Sequence, residues 1–149
     1  MTHEDYMRAA LALARECLST GDVPVGCVIV REDGEIIGTG RNRREERGDA
    51  TAHAEVEAIR MACEKRGSWH LDDCTLYVTL EPCPMCAGAI VNSRLAAVRY
   101  GARDAKAGAC TSVLNLFEEG FNHRPRVYGG VLAGECAALL REFFGGLRG

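Results

Sequence analysis

The sequence predicts an α/β protein, a sheet with helices packed on its faces. Three observations lead there. Runs of β-branched and apolar residues alternate with segments of helical periodicity along the chain. The helical segments are bounded by cap residues and glycines. Finally, 149 residues, 47% hydrophobic and 26% charged, with no repeat, low-complexity segment or long linker, suit one domain over residues 1–149.

In chain order, residues 2 to about 20 read as a helix, because Met7, Ala10, Leu11, Ala14, Cys17 and Leu18 recur at helical spacing. Thr2 with Asp5 gives a capping-box pattern, and Gly21 supplies the stop. Residues 25–30 (VGCVIV) and 35–40 (EIIGTG) flank Asp33-Gly34 and predict a hairpin. Residues 42–49, polar and arginine-rich, are expected to form a loop. A helix should start near Thr51, bury a stripe of Ala52, Val56, Ile59 and Cys63, and end before Gly67. Residues 75–80 (TLYVTL) read as a buried strand. Pro82 then opens a helix from Cys83 to about Ser93, and residues 96–102 (AAVRYGA) read as another strand. Residues 104–126 are less regular, with a short helix expected near 111–117. Residues 126–132 (RVYGGVL) suggest an edge strand and 135–144 a closing helix.

Composition excludes several classes. No apolar run approaches the ~20 residues that a membrane-spanning helix needs. The N-terminus lacks a basic patch followed by an apolar stretch, so a cytoplasmic location is expected. In that reducing compartment the eight cysteines are expected to be thiols or metal ligands before disulfides. A net charge of −3 does not advertise nucleic-acid binding. Yet of the 18 basic residues only Lys65 and Lys106 are lysines. Arginines cluster at Arg41, Arg43, Arg44 and Arg47, and again at Arg124 and Arg126, either as solvated loops or as phosphate contacts.

Two short motifs carry the chemistry. Cys83 and Cys86 form a Cys-x-x-Cys pair, open to several readings: half of a closed zinc site with His70 and Cys74, a redox pair, or part of a catalytic metal site. Position favours the last. Pro82 follows a buried strand and Cys83 begins a helix, whose N-terminal amides and dipole favour thiolates. His53 and Glu55 stand at the start of another helix. On adjacent strands of an α/β sheet, both helix N-termini can face one crevice. His53, Cys83 and Cys86 would then share one zinc ion and leave its fourth position to water. Glu55 is too constrained to be a second ligand beside His53, but it can reach that water and move its proton.

His-x-Glu followed by Pro-Cys-x-x-Cys resembles the signature of the zinc-dependent nucleobase deaminases. The stretches DVPVGCVIV, GRNR, TAHAEVEAIR, TLYVTLEPCPMCAGAIVNSR, YGARDAKAGA, FNHR and GVLAGECAALLREFF resemble the bacterial tRNA-specific adenosine deaminase family. That similarity runs from about Tyr6 to Phe144. It implies a three-layer α/β/α sandwich around a five-stranded mixed sheet, cytidine deaminase-like, working as a homodimer with one Zn²⁺ per subunit. It implies hydrolysis of adenosine to inosine at the wobble position of a tRNA anticodon, with release of ammonia. The tRNA would be an arginine acceptor, engaged through its anticodon stem-loop. By resemblance, His53, Cys83 and Cys86 are zinc ligands and Glu55 the proton shuttle. Asn42 would hydrogen-bond the flipped nucleotide. The backbone at Ala54 and the turn Glu81-Pro82 would hold the base edge. Asp104, Lys106, Asn122, His123 and Arg124 would grip the anticodon loop, with Phe143 and Phe144 beside it. Some members carry a longer basic tail than the ending GGLRG, so RNA affinity would rest on Arg148 and the internal arginines. A deaminase of free guanine, cytosine or cytidine would share the zinc ligands and Glu55, and a non-catalytic zinc-binding subunit would not need Glu55.

Overall fold

A computed structural model describes residues 1–148, with side chains to residue 146. The helices are α1 (His3–Glu16), α2 (Arg44–Arg47), α3 (Ala54–Arg66), α4 (Pro84–Asn92) and α5 (Ala133–Arg148). The strands are β1 (Gly26–Arg31), β2 (Ile36–Arg41), β3 (Cys74–Leu80), β4 (Ala97–Ala102) and β5 (Arg126–Tyr128). They form one sheet in the order β2-β1-β3-β4-β5. β1 runs antiparallel to both β2 and β3, and β4 and β5 continue parallel to β3.

Alternation along the strands creates two cores. Val28, Val30 and Tyr77 face Tyr6, Met7 and Ala10 of α1 and Cys136 of α5. Cys27, Ile29, Leu76, Val78 and Val98 face Ala54, Ala58 and Ala62 of α3 and Ala87 and Ile90 of α4. Successive strand residues point to opposite sides, so two apolar faces need two helical layers. The three-layer sandwich with a five-stranded mixed sheet is the architecture observed.

Local chemistry explains the first helix. Thr2 accepts from the Asp5 amide and the Asp5 carboxylate accepts from the Thr2 amide, completing the capping box. The last expected turn tightens into a 3-10 helix, Cys17–Thr20, closed by Gly21 at φ 72.

Four expectations need correction. Residues 42–49 are not all loop, because α2 lies within them. Its cap comes from far away: the carboxylate of fully buried Asp22 accepts the Glu45 and Glu46 amides, at 2.5 and 3.3 Å. The α3 stripe is also different. Ala54, Ala58 and Ala62 are the fully buried residues, while Val56, Ile59 and Cys63 are half-buried. α3 lies so close to β2 that a Cβ on Gly38 would come 2.4 Å from the Ala58 carbonyl oxygen, and one on Gly40 2.2 Å from that of Ala54. Only small residues fit between such backbones. The helix expected near residues 111–117 is a three-residue 3-10 turn, Leu116–Glu118, capped by Asn115. The edge strand stops at Tyr128, before Gly129 and Gly130.

The sheet order fixes where chemistry can gather. β2 and β3 are not adjacent, because β1 lies between them. Both run opposite to β1, so their C-terminal ends reach the same sheet edge. α3 and α4 begin just beyond that edge, on the same face.

Candidate metal centre and active site

His53 is the N-cap of α3, extended at φ −85 and ψ 152, with no side-chain capping bond. Its ring is therefore free to turn toward α4. Cys83 is the N-cap of α4, also extended and also without a side-chain cap, and Cys86 lies in the first turn. His53 Nδ1 stands 3.6 Å from Cys83 Sγ and 3.4 Å from Cys86 Sγ. The three donor atoms all lie within 4.8 Å of one another, and among the described residues they form the one such cluster of His, Cys, Asp or Glu.

The donor set fits zinc. Zn–S bonds of ~2.3 Å and Zn–N bonds of ~2.0–2.1 Å at a tetrahedral angle separate N from S by about 3.5 Å. Two sulfurs and one imidazole leave a fourth corner, as in catalytic zinc sites. The closed alternative does not assemble. Cys74 begins β3 and Cys83 follows its end, a strand length of ~20 Å. His70 is instead stacked on Trp69, with ring centroids 3.7 Å apart, and its Nδ1 lies 3.4 Å from Asp72.

The thiols polarise one another. A hydrogen bond from Cys86 is the main reason that Cys83 is drawn down to about 4. The same bond, together with burial, pushes Cys86 up. His53 is raised, chiefly by its hydrogen bond with Cys83. Glu55 is 4% exposed, and burial, reinforced by the charge on Cys83, pushes its carboxyl up to about 7. A carboxyl poised near neutrality both accepts and donates protons.

These groups open into a cavity of about 190 Å³ lined by His53, Ala54, Glu55, Cys83, Asn42 and Glu81, among others. Val23, Val25 and Leu80 form its apolar walls, and Arg44, Asp104 and Ala107 complete it. No motif announces Val23, Val25, Leu80 and Ala107 as lining. Their signal is positional: Val23 and Val25 enter β1 and Leu80 ends β3, all at the active edge.

The other expected residues are placed as follows. Asn42 donates to the Val23 carbonyl and accepts the Arg44 amide, at 3.1 Å each, so each end of its amide keeps capacity for one more bond. Ala54, the first residue of α3, carries a backbone amide with no partner inside the helix. Pro82 is fully buried, and its carbonyl accepts the Ala109 amide at 2.8 Å. It is Glu81 and not Pro82 that lines the cavity. Asp104 holds its own turn, accepting the Lys106 and Ala107 amides at 3.0 and 3.2 Å. The Lys106 side chain is exposed.

The FNHR segment lies elsewhere. His123 Nε2 is 2.7 Å from the Leu95 carbonyl oxygen, before β4 begins, whereas Asp104 follows the end of β4. Asn122 and Arg124 flank it, exposed, ~20 Å along the strand from the cavity. Phe143 and Phe144 pack edge to face with centroids 5.2 Å apart, the first half-buried and the second 44% exposed. The side chain of Arg148 lies outside the described residues.

Comparison with known proteins agrees with this geometry. The family model of the MafB19-like deaminases matches residues 1–148. The tRNA-specific adenosine deaminase of Bacillus subtilis is 47% identical over 150 residues, covering 99% of this chain and 92% of that protein. The tRNA(Ile)-lysidine synthase of Deinococcus radiodurans is 51% identical over 142 residues, 95% of this chain, but the match spans only 24% of that longer protein. A solved structure from a study of A-to-I editing by tRNA:A34 deaminases at the wobble position of transfer RNA superposes with a TM-score of 0.87. It is 44% identical and covers 91% of this chain and 98% of its own. With its fold, its cavity and these relatives in agreement, the chain belongs to the MafB19-like deaminases and to the family of the tRNA-specific adenosine deaminases.

Proposed function

We propose that this protein hydrolyses adenosine to inosine at the wobble position of a tRNA anticodon and releases ammonia. The observation that carries the proposal is the pairing of a His53–Cys83–Cys86 donor cluster with a buried Glu55 in a cavity sized for one base. At about 190 Å³ it is smaller than the ~300–1,000 Å³ typical of drug-sized pockets, so a nucleotide would leave its sugar and phosphates outside.

His53, Cys83 and Cys86 would hold the zinc ion. When bound, it supplies the Lewis acidity that makes water nucleophilic near neutral pH. The adenosine leaves the stack of the anticodon loop, at a cost of a few kcal/mol. Val23, Val25 and Leu80 enclose its base, and Asn42 and the Ala54 backbone hold its polar edge. Glu55 takes a proton from the attacking water and places it on purine N1 as oxygen bonds to C6. The same carboxyl then moves a proton to the 6-amino nitrogen, the C6–N6 bond breaks, and ammonia leaves. Water is added and ammonia lost, so atoms and charge balance.

RNA binding falls to groups around the mouth. Arg41 and Arg43 pair with Glu46, and Arg47 pairs with Glu57. Arg44 has no carboxylate partner among the described residues and lines the cavity. Its guanidinium suits a flanking phosphate. A contact from Lys106 near the mouth, one from Arg124 to a part of the RNA farther from the cavity, an arginine tRNA as substrate, a homodimer and a cytoplasmic location belong to the same reading. No described helix is long and apolar enough to cross a membrane.

The test offers an anticodon stem-loop with a wobble adenosine beside free adenosine, guanine and cytidine, and follows products by mass spectrometry. Inosine in the stem-loop alone supports the proposal. Deamination of a free base or nucleoside with the stem-loop untouched contradicts it.

A further inference from the structure

The Glu81-Pro82 turn is expected at the base edge, and the Glu81 side chain has a further role in the loop after β4. It is a 2% exposed carboxylate just past the end of β3. Oε2 accepts three consecutive amides, from Cys110, Thr111 and Ser112, at 3.1, 2.8 and 2.9 Å. Oε1 accepts the Asp104 amide at 3.2 Å and the Ser112 hydroxyl. Successive amides curled around one anion form a nest. Here the protein supplies the anion itself, and five donors satisfy a buried charge that would otherwise be very costly.

The loop is shaped to admit this carboxylate. A Cβ on Gly108 would lie 2.4 Å from Glu81 Oε2. The Gly108 amide closes on the Asp104 carbonyl oxygen at 2.9 Å, and the Ala109 amide on that of Pro82 at 2.8 Å. The irregular segment after β4 is thereby wrapped around one side chain. Its first turn, Asp104 to Ala107, is a wall of the cavity that faces His53 and Glu55.

We infer that Glu81 is a positioning residue: its carboxylate sets the Asp104–Ala107 wall against the substrate nucleotide and does not itself bind the base. This rests on the proposed reaction at the same site. Asp104 closes that turn itself on the Lys106 and Ala107 amides, and Glu81, from the neighbouring strand, anchors the turn through the Asp104 amide and the nest at Cys110, Thr111 and Ser112.

The experiment compares wild type, Glu81→Gln and Gly108→Ala for zinc content, hydrogen exchange at residues 110–112, and kcat and KM on the anticodon stem-loop. Glutamine keeps one acceptor oxygen for the three amides but loses the charge that strengthens those bonds, and its NH₂ cannot accept from Asp104. Gly108→Ala leaves Glu81 intact and removes the room for its carboxylate. Both variants should keep one zinc per chain and exchange faster at residues 110–112. Both should raise KM about tenfold or more while kcat falls less, because removing shared ground-state and transition-state binding moves KM first. Unchanged KM despite faster exchange would reduce Glu81 to a structural tie and overturn the inference. So would lost zinc, which would place its effect at the metal ligands. The wild-type arm separates this from the functional proposal. If wild type leaves the stem-loop unreacted, the proposed reaction fails, and this inference with it; an active wild type with unaltered variants refutes the Glu81 role alone.

Discussion

His53 Nδ1 and Cys86 Sγ lie 3.4 Å apart although 33 residues separate them in the chain. Two helix starts bring them together, one after β2 and one after β3, both at the edge where β1 begins. Neither side chain is spent on capping its own helix. The sheet therefore positions the donors and leaves them available.

Glu55 is a partner of this cluster and not a member of it. Glu55→Ala should retain the metal and lose turnover by about 10²–10⁴-fold or more, the range for removing a general acid–base group. Metal analysis beside an inosine assay checks this. Near wild-type turnover in the variant would exclude the proton role.

The close approach of α3 to β2 should be intolerant of any side chain. Gly40→Ala would place a Cβ 2.2 Å from the Ala54 carbonyl oxygen, next to His53. The helix start must shift, costing about 1–3 kcal/mol or more. Urea unfolding should show the loss, and zinc affinity should fall with it. Gly134→Ala, where a Cβ would meet nothing within 4 Å, is the control and should change stability by under about 1 kcal/mol.

Asp22 should matter although it is distant from α2 in sequence. Asp22→Ala leaves the Glu45 and Glu46 amides without their acceptor and should cost about 1.5–3 kcal/mol, measured by urea unfolding. Because α2 carries Arg44, the stem-loop KM should rise as well. Unchanged stability would mean that water replaces the carboxylate.

That cap shows what the sequence could and could not reveal. Thr2 and Asp5 are three residues apart, so the capping box of α1 is legible in one short stretch. The donor cluster is legible for a similar reason: His53 with Glu55 and Cys83 with Cys86 are short local motifs at helix starts. Asp22 capping α2 and Glu81 holding Cys110–Ser112 join residues that are far apart in the chain, and no local pattern announces them. In α3, periodicity weights Val56 and Ile59, whereas the glycines of β2 select alanines. The segment after β4 carries no periodic pattern, because much of its order comes from a carboxylate outside it, Glu81.

Arg44 should account for part of the salt dependence of RNA binding. Arg44→Ala should lower the slope of log Kd against log salt by about 0.7, the single-strand value per phosphate contact. Arg47→Ala, whose guanidinium is already paired with Glu57, should lower it less. Titrating a labelled stem-loop across potassium chloride concentrations measures both. An unaltered slope for Arg44→Ala would remove its phosphate contact.

The most direct measurement is zinc K-edge X-ray absorption on the purified protein and on His53→Ala and His70→Ala. The account predicts about one zinc per chain with two sulfur ligands near 2.3 Å and two lighter ones near 2.0–2.1 Å. The metal should be lost from His53→Ala and unchanged in His70→Ala. A shell with more than two sulfurs, or metal that survives His53→Ala but is lost from His70→Ala, would contradict it.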